Sequence, residues 1–182
     1  MSDGRGRKMD FLLSVPFATL CTLAWFHQKA PDITFLNSVS VANIAAIDAG
    51  RLAENSDNEA VRALARQMVA EHTVAQRELM ALAKTENVDA LQEADTEHKD
   101  TNAELMKLSG SAFDSAYLSR QLLDYQVTIT LFKEESGNGK DTEARAYASK
   151  FLPRLEQRIQ TIKNYCLRRN LSLTEGAASA ER

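Results

Sequence analysis

The side chains best suited to chemistry in this sequence are its three histidines, His27, His72 and His98. A histidine can bind a metal ion or transfer protons near neutral pH. His72 is the candidate for such a role, because it lies in a stretch whose apolar residues recur with the period of a helix. A two-metal carboxylate site among helices requires inward carboxylates on two helices and a Glu-x-x-His motif on the two others. Val69 stands three residues before His72. His72 is therefore a lone candidate metal ligand, the ligand set is incomplete, and no cofactor is predicted.

Two further polar side chains, Tyr125 and Arg158, fall on or beside apolar stripes near the middle of their helices. We predict that they meet His72 in one buried polar cluster. A buried arginine requires an acidic partner, and Asp48 or Asp124 is the candidate. Buried polar groups are usually satisfied by one another and serve packing. A structural cluster is therefore favoured over a ligand pocket.

No recognisable catalytic motif occurs in the sequence. It has no glycine-rich phosphate loop, no cysteine pair at metal-binding spacing and no Gly-x-Ser-x-Gly. Glu71 beside His72 could mimic an acid–base pair, but neighbours on a helix point about 100° apart, so we expect one of the two to face solvent. No catalytic residue is predicted, and an enzyme is less favoured than a non-enzymatic protein.

Four stretches carry apolar residues at three- and four-residue steps, which is the period of an α-helix. They begin near Thr34, Ser56, Ser111 and Asp141. No alternation of period two occurs outside the N-terminal segment, so strands are not predicted. The sequence predicts an all-α fold, an antiparallel four-helix bundle in which narrow apolar faces shield one another.

Capping side chains are predicted at the starts of these helices. Ser56 with Glu59 matches a capping box, in which the hydroxyl accepts from a helical N–H and the carboxylate reaches back. Ser111 with Asp114 has the same form and is predicted to open the third helix, and Asp141 is predicted to cap the fourth. Residues 87–110 are crowded with charge, so we predict a long crossover between helices two and three that holds a short helix capped by Thr101.

The N-terminus has the order of a secretory leader, with basic residues ahead of an apolar run at residues 11–26. That run is at or below the lower limit for a helix that spans a bilayer. A cleaved signal peptide over residues 1–30 is therefore favoured over an N-terminal anchor. The helical domain is predicted over residues 31–170 and a flexible tail over residues 171–182. The predicted location is the periplasm or the medium, with membrane contact only through the N-terminal segment.

Charge excludes one class of partner. The chain carries 22 basic and 25 acidic side chains, for a formal net charge of -3. Nucleic-acid binding requires a concentrated basic surface, and none is present. The partners that stay open are a second copy of the chain, packed through the alanine-rich first helix, and a protein of the cell envelope.

Three segments resemble a known family. The stretches MVAEHT at residues 68–73, FDSAYL at residues 113–118 and LPRL at residues 152–155 are similar to those of the ferritin-like family known as domain of unknown function 4142. The resemblance covers about residues 34–168 and implies a four-helix bundle in exported bacterial proteins, without an established activity. The positions at which members carry a glutamate and three histidines correspond here to Ala46, His72, Tyr125 and Arg158.

The resemblance and the residues together give two functional hypotheses. The first is a non-enzymatic envelope protein that acts as a structural, stress-related or interaction module. The second is a bundle that binds a metal or a small ligand through the polar cluster around His72.

Overall fold

The computed structural model describes residues 32–168, and within them the protein is entirely helical, with no strand. Its five helices are α1 (Ile33–Ala53), α2 (Glu59–Thr85), α3 (Thr96–Leu105), α4 (Gly110–Asn138) and α5 (Thr142–Arg168). The predicted all-α class is confirmed for these residues. The proposed signal peptide or anchor at residues 1–30 and the tail at residues 171–182 lie outside the described residues.

The four long helices run antiparallel to their neighbours. Short connections join α1 to α2 and α4 to α5, and each of these pairs packs along its length. Contacts between the pairs fix the remaining directions. The Phe35 and Phe132 rings, 5.4 Å apart between centroids, join the start of α1 to the end of α4. The Asn58 amide donates to the Tyr165 hydroxyl at 2.7 Å, which joins the start of α2 to the end of α5.

Gly50 lets α1 approach α2 closely. A Cβ built on Gly50 would lie 2.6 Å from Cγ2 of Val69 and 3.5 Å from the backbone oxygen of Ala65. Real carbon atoms do not approach to 2.6 Å, so any side chain at position 50 forces Val69 to move. The two helices can therefore pack at this distance because position 50 has no side chain.

We expect Gly50→Ala to destabilise the wild-type chain by about 1 kcal/mol and to stabilise a Val69→Ala background. Alanine gains about 1 kcal/mol over glycine inside a helix, whereas overpacking costs about 1–3 kcal/mol. Without Cγ2 of Val69, the closest contacts of the new Cβ would be ordinary ones, at 3.5 and 3.9 Å. Urea unfolding of the wild type, the two single variants and the double variant measures the coupling. An equal effect of Gly50→Ala in both backgrounds would contradict this account.

The predicted caps of α2 and α4, Ser56 and Ser111, are wrong, and their failure reveals a tertiary contact. Helix α2 is capped by Asn58 rather than Ser56, and α4 begins after Ser109, which makes no side-chain cap bond. The hydroxyl of Ser56 instead donates to the buried carboxylate of Asp114 at 2.6 Å. These two residues tie the α1–α2 connection to the first turn of α4. The predicted cap at Asp141 is confirmed, since its carboxylate accepts from the backbone N–H of Ala144 at 2.7 Å.

The connection from α2 to α4 carries α3, which begins five residues before Thr101. Asp95, not Thr101, caps it by accepting from the N–H of His98 at 2.9 Å. Leu105 is the only buried residue of α3. This short helix lies against α1 and α4 with little apolar surface of its own, so it depends on polar contacts for its position.

Helix α1 is long and apolar enough to cross a membrane, with a mean hydropathy of 1.2. Close to half of that stretch, 44%, is buried inside the protein. Its buried residues include Leu36, Val39 and Ile47, which face the other helices. Burial of this kind is typical of the core helix of a folded domain. The length and apolar composition of α1 are therefore weak support for a membrane span.

Three carboxyl groups converge where α4 ends and α1 and α5 begin. Glu135 is buried in the last turn of α4, close to Asp32 and Asp141, which cap α1 and α5. Burial, and then the neighbouring charge of Asp32, raise the pKa of Glu135 to about 7. Helix N-termini stabilise a negative charge on the two capping aspartates. Glu135 is therefore the carboxyl group that keeps its proton up to near neutral pH.

Candidate functional site

The interior polar cluster centres on His72, which is buried near the middle of α2. Its Nδ1 lies 2.9 Å from Oδ1 of Asn43 on α1. Its Nε2 lies 2.8 Å from the hydroxyl oxygen of Tyr125 on α4. The structure thus brings His72 and Tyr125 together, and it adds Asn43, which was not among the predicted members of the cluster.

From Asn43 a chain of hydrogen bonds continues to the backbone of the α2–α3 connection. The carbonyl oxygen of Leu91 can only accept, so the Ser40 hydroxyl donates to it. Ser40 in turn accepts from Nε2 of Gln76 at 2.7 Å. The side-chain oxygen of Gln76 then accepts from Nδ2 of Asn43 at 3.3 Å. Oδ1 of Asn43 is left to act as an acceptor.

The direction of this chain fixes the protonation of the histidine. Because Oδ1 of Asn43 accepts, Nδ1 of His72 carries the proton and Nε2 is the acceptor. The Tyr125 hydroxyl therefore donates to Nε2 at 2.8 Å. Both ring nitrogens of the neutral imidazole are satisfied, so the histidine is held in one tautomer.

Neither His72 nor Tyr125 ionises near neutral pH. Burial lowers the pKa of His72 to about 4, with Arg158 adding to this and Glu71 opposing it. Burial also raises the pKa of Tyr125 well above its usual value. A general acid or base works best with a pKa near the working pH. The pair is therefore suited to holding three helices in register rather than to transferring protons.

The third predicted member of the cluster, Arg158, is buried on α5 beside this pair. Its Nη2 forms a salt bridge of 2.5 Å with Oε1 of Glu71, and its Nη1 donates to Oε1 of Gln67 at 3.2 Å. Gln67 also donates to Oε1 of Glu71 at 3.0 Å. The acidic partner of Arg158 is thus Glu71, the residue next to His72.

The prediction that Asp48 or Asp124 would pair with Arg158 is wrong. Asp48 lies on the outer side of α1, 3.6 Å from Arg51. Asp124 lies 2.8 Å from Nε of Arg120, on the face of α4 towards α3. Successive residues on a helix point about 100° apart. That rotation turns Asp124 away from the cluster, and it turns Glu71 towards α5 rather than fully into solvent.

A small cavity adjoins the cluster. It has a volume of about 30 Å³ and is lined by His72, Tyr125, Arg158 and Phe132, among others. The buried Nε of Arg158 has no hydrogen-bond partner among the protein groups of the described residues. A cavity of this size has room for a water molecule, which would supply the missing acceptor.

The residues of this cluster do not fit a metal site. Both nitrogens of His72 are already engaged, and the side chain of Arg158 is a cation that a metal ion would repel. Within residues 32–168, no group of three or more His, Cys, Asp or Glu side chains could hold a metal ion. Ala46, which the resemblance aligns with a glutamate, faces a different part of the protein.

That other part is an open groove between α1 and α4, with a volume of about 550 Å³. Ligand sites in proteins commonly measure about 300–1,000 Å³. Ala46 lines this groove together with Leu91, Leu123 and Val127, whose side chains are all exposed. The face formed by α1 and α4 is thus left uncovered along the groove. The short α3 lies against another part of the same two helices.

A charged network closes the end of the groove where α3 begins. Arg120 lies 2.9 Å from Glu97 on α3 and 2.8 Å from Asp124 on its own helix. His98 lies 2.6 Å from Asp95 and 3.7 Å from Asp124. The Asp124 carboxylate, and then Asp95, raise the pKa of His98 above its usual value. These ion pairs attach α3, which buries little apolar surface, to α4.

Several of these residues were missed in the sequence, although a signal for them existed. Ser40 and Asn43 interrupt the buried apolar stripe of α1 at a three-residue step, which places two polar groups on its inner face. His72 and Gln76 on α2 have the matching four-residue step. Polar residues at helical spacing on both of two adjacent helices indicate a polar seam between them.

The comparison with known families gives one result. A family model described as a domain of unknown function, DUF4142, matches residues 26–165. No curated protein and no solved structure matches the chain. The family match covers most of the chain and all but the last residues of the described helices. The chain therefore belongs to the DUF4142 family of domains of unknown function.

Proposed function

We propose that this protein is a non-enzymatic interaction module of the bacterial cell envelope, and that the groove between α1 and α4 is its binding surface. The observation that carries the proposal is the exposed apolar lining of that groove. Across residues 32–168, seven large apolar side chains are exposed, and three of them, Leu91, Leu123 and Val127, line this one groove. Clustered exposed apolar side chains mark interaction sites, whereas scattered ones are normal.

Two further parts of the proposal concern architecture and location. The four long helices form a ferritin-like antiparallel bundle, with residues 86–109 as the crossover between its second and third helices. The antiparallel contacts of α1 with α4 and of α2 with α5 support this arrangement. The apolar run at residues 11–26 directs export or anchors the chain. Fusing residues 1–30 to alkaline phosphatase tests export, since that enzyme becomes active only outside the cytoplasm.

Site-specific photocrosslinking in the native host tests the binding surface. Val127 in the groove and Met106 at the end of α3 are equally exposed, at 64%. A photoreactive phenylalanine at position 127 is expected to give a discrete crosslinked product in the envelope fraction, and the same group at position 106 is not. Equal labelling at the two positions, or none at either, would contradict the proposed surface.

A second candidate function is the binding of a small molecule in the cavity beside His72. The buried, unpartnered Nε of Arg158 favours it. The cavity volume of about 30 Å³ limits any such ligand to the size of water. We therefore place the interaction surface in the groove and assign the interior cluster to stability.

A further inference from the structure

The groove is a slot between two antiparallel helices. Its α1 wall runs from Asn37 to Ala46, and its α4 wall runs from Arg120 to Leu131. At 1.5 Å per residue these walls are about 14 and 16 Å long. That length matches about ten residues of a third helix, and apolar side chains on one face of such a helix would meet Leu123 and Val127.

The groove is apolar along its length and acidic at one end. In the network at that end, Glu97 and Asp95 are the more exposed members, while Arg120 and His98 are largely covered. The two basic side chains therefore lie beneath, and the two carboxylates face the solvent. A binding partner that reaches this end meets negative charge. An acidic side chain of the partner would be repelled at this end, whereas a lysine or arginine would be attracted.

We propose that the groove binds a short basic amphipathic helix of another protein, with its apolar face on Leu123 and Val127 and a basic side chain near Asp95 and Glu97. This inference rests on the proposed function, because it names the partner of the same groove. The apolar contacts supply affinity, and the carboxylates select the sign of the partner's charge. The alanine-rich α1 wall, with Ala42 and Ala46, leaves room for a helix to approach closely.

The test uses fluorescently labelled twelve-residue peptides and the full chain, with binding measured by anisotropy. One peptide combines leucine on one face with lysine on the other. A second replaces every lysine with glutamate, and a third scrambles the first so that no apolar face forms. We expect the lysine peptide to bind at least about ten-fold more tightly than either of the others, with affinity that falls as salt is raised.

Matched substitutions decide whether the groove is the site. Val127→Ser should weaken binding of the lysine peptide at least about three-fold, whereas the equally exposed Met106→Ser should leave it unchanged. Glu97→Gln should weaken it as well and should strengthen binding of the glutamate peptide, because Arg120 loses a partner. Glu93→Gln is the control, since Glu93 is an exposed glutamate with one ion pair, to Lys99, outside the groove. All four side chains are exposed, and circular dichroism checks that each variant folds.

Each outcome bears on a different claim. Equal binding of the lysine and glutamate peptides would overturn the charge selection. An affinity for the lysine peptide that Val127→Ser leaves unchanged would show that the groove is not the binding site. Absence of binding by all three peptides would overturn a basic amphipathic helix as the partner. A discrete crosslink at position 127 in the envelope would still support the groove as a binding surface in that case, so failure of this inference is distinguishable from failure of the proposed function.

Discussion

Replacing Glu71 with alanine is expected to lower the free energy of unfolding by about 3 kcal/mol, the loss typical of leaving a buried charge without its partner. Arg158 is only 7% exposed, and within residues 32–168 Glu71 is its one ion-pair partner. The alanine variant leaves the guanidinium with Gln67 alone, whose oxygen lies 3.2 Å away. Urea unfolding measures the loss.

The chain contains a matched control for this prediction. Glu78 and Lys150 also join α2 to α5 with a 2.5 Å contact, and the two glutamates are almost equally exposed, at 37% for Glu71 and 36% for Glu78. The cations differ, because Lys150 is 50% exposed. Glu78→Ala should therefore cost less than about 1 kcal/mol, as exposed pairs do. Equal losses for the two variants would show that burial of Arg158 does not matter.

Removing the cation instead of the anion should have a smaller effect. In Arg158→Met the partly exposed Glu71 can be hydrated, and the methionine side chain packs in the space of the arginine stem. We expect a loss of no more than about 1 kcal/mol, since an apolar replacement for a buried ion pair is often neutral or stabilising. A larger loss of unfolding free energy for Glu71→Ala than for Arg158→Met would indicate that the cost comes from an unpaired, desolvated Arg158. Equal losses would indicate that the mutual attraction of the pair stabilises the fold.

The second large effect is the contribution of His72 to the pH dependence of stability, which His72→Gln should remove. The pKa of His72 is about 4 in the folded protein, below its ordinary value of 6.5. Between these values the unfolded chain binds a proton that the folded protein does not, so stability falls as the pH falls from 6.5 to 4. The full loss is about 3 kcal/mol, at about 1.36 kcal/mol for each unit of pKa.

Glu135 should produce the opposite slope over nearly the same pH range. Its pKa is raised to about 7 from 4.5, so the folded protein holds a proton that the unfolded chain releases. Its contribution to stability is fully present below pH 4.5 and is lost as the pH rises to 7. In the wild-type chain the two contributions therefore oppose each other, and their sum varies less with pH than either contribution alone.

Single variants should separate the two contributions. Glu135→Gln leaves the slope of His72, so its stability should fall on acidification from pH 6.5 more steeply than that of the wild type. His72→Gln leaves the slope of Glu135, so its stability should rise on acidification. Glu134→Gln, an exposed neighbour on α4, is the control for loss of one charge and should follow the wild type. Slopes from urea unfolding at pH 4.5, 5.5, 6.5 and 7.5 test this, and parallel curves for all four proteins would refute it.

These predictions divide the molecule into two polar regions with different tasks. Around His72 and Arg158, the polar side chains bond mainly to one another, and burial suppresses ionisation of His72 near neutral pH. At the α3 end of the groove, carboxylates face the solvent beside exposed apolar side chains. Changes in the first region should alter stability, and changes in the second should alter binding.

The sequence by itself determined the helical class and the approximate extent of the four long helices. Period-three and period-four apolar positions are local properties, because a helix places them on one face wherever its partners lie. For the same reason the burial of His72 and Tyr125 could be predicted from their position on those stripes. The resemblance in three segments was sufficient to indicate the family, which the match over residues 26–165 confirmed.

Only the tertiary structure decided which side chains meet. Ser56 and Asp114 each looked like part of a local capping pattern, yet they bond to each other across 58 residues of chain. From the sequence, Arg158 could pair with any of several acidic residues, and the rotation of α2 against α5 selected Glu71. The groove likewise exists because α3 covers only part of the α1/α4 face. A helical sequence specifies the direction of each side chain about its own axis, whereas the partner depends on the rotation and register of helices far apart in sequence.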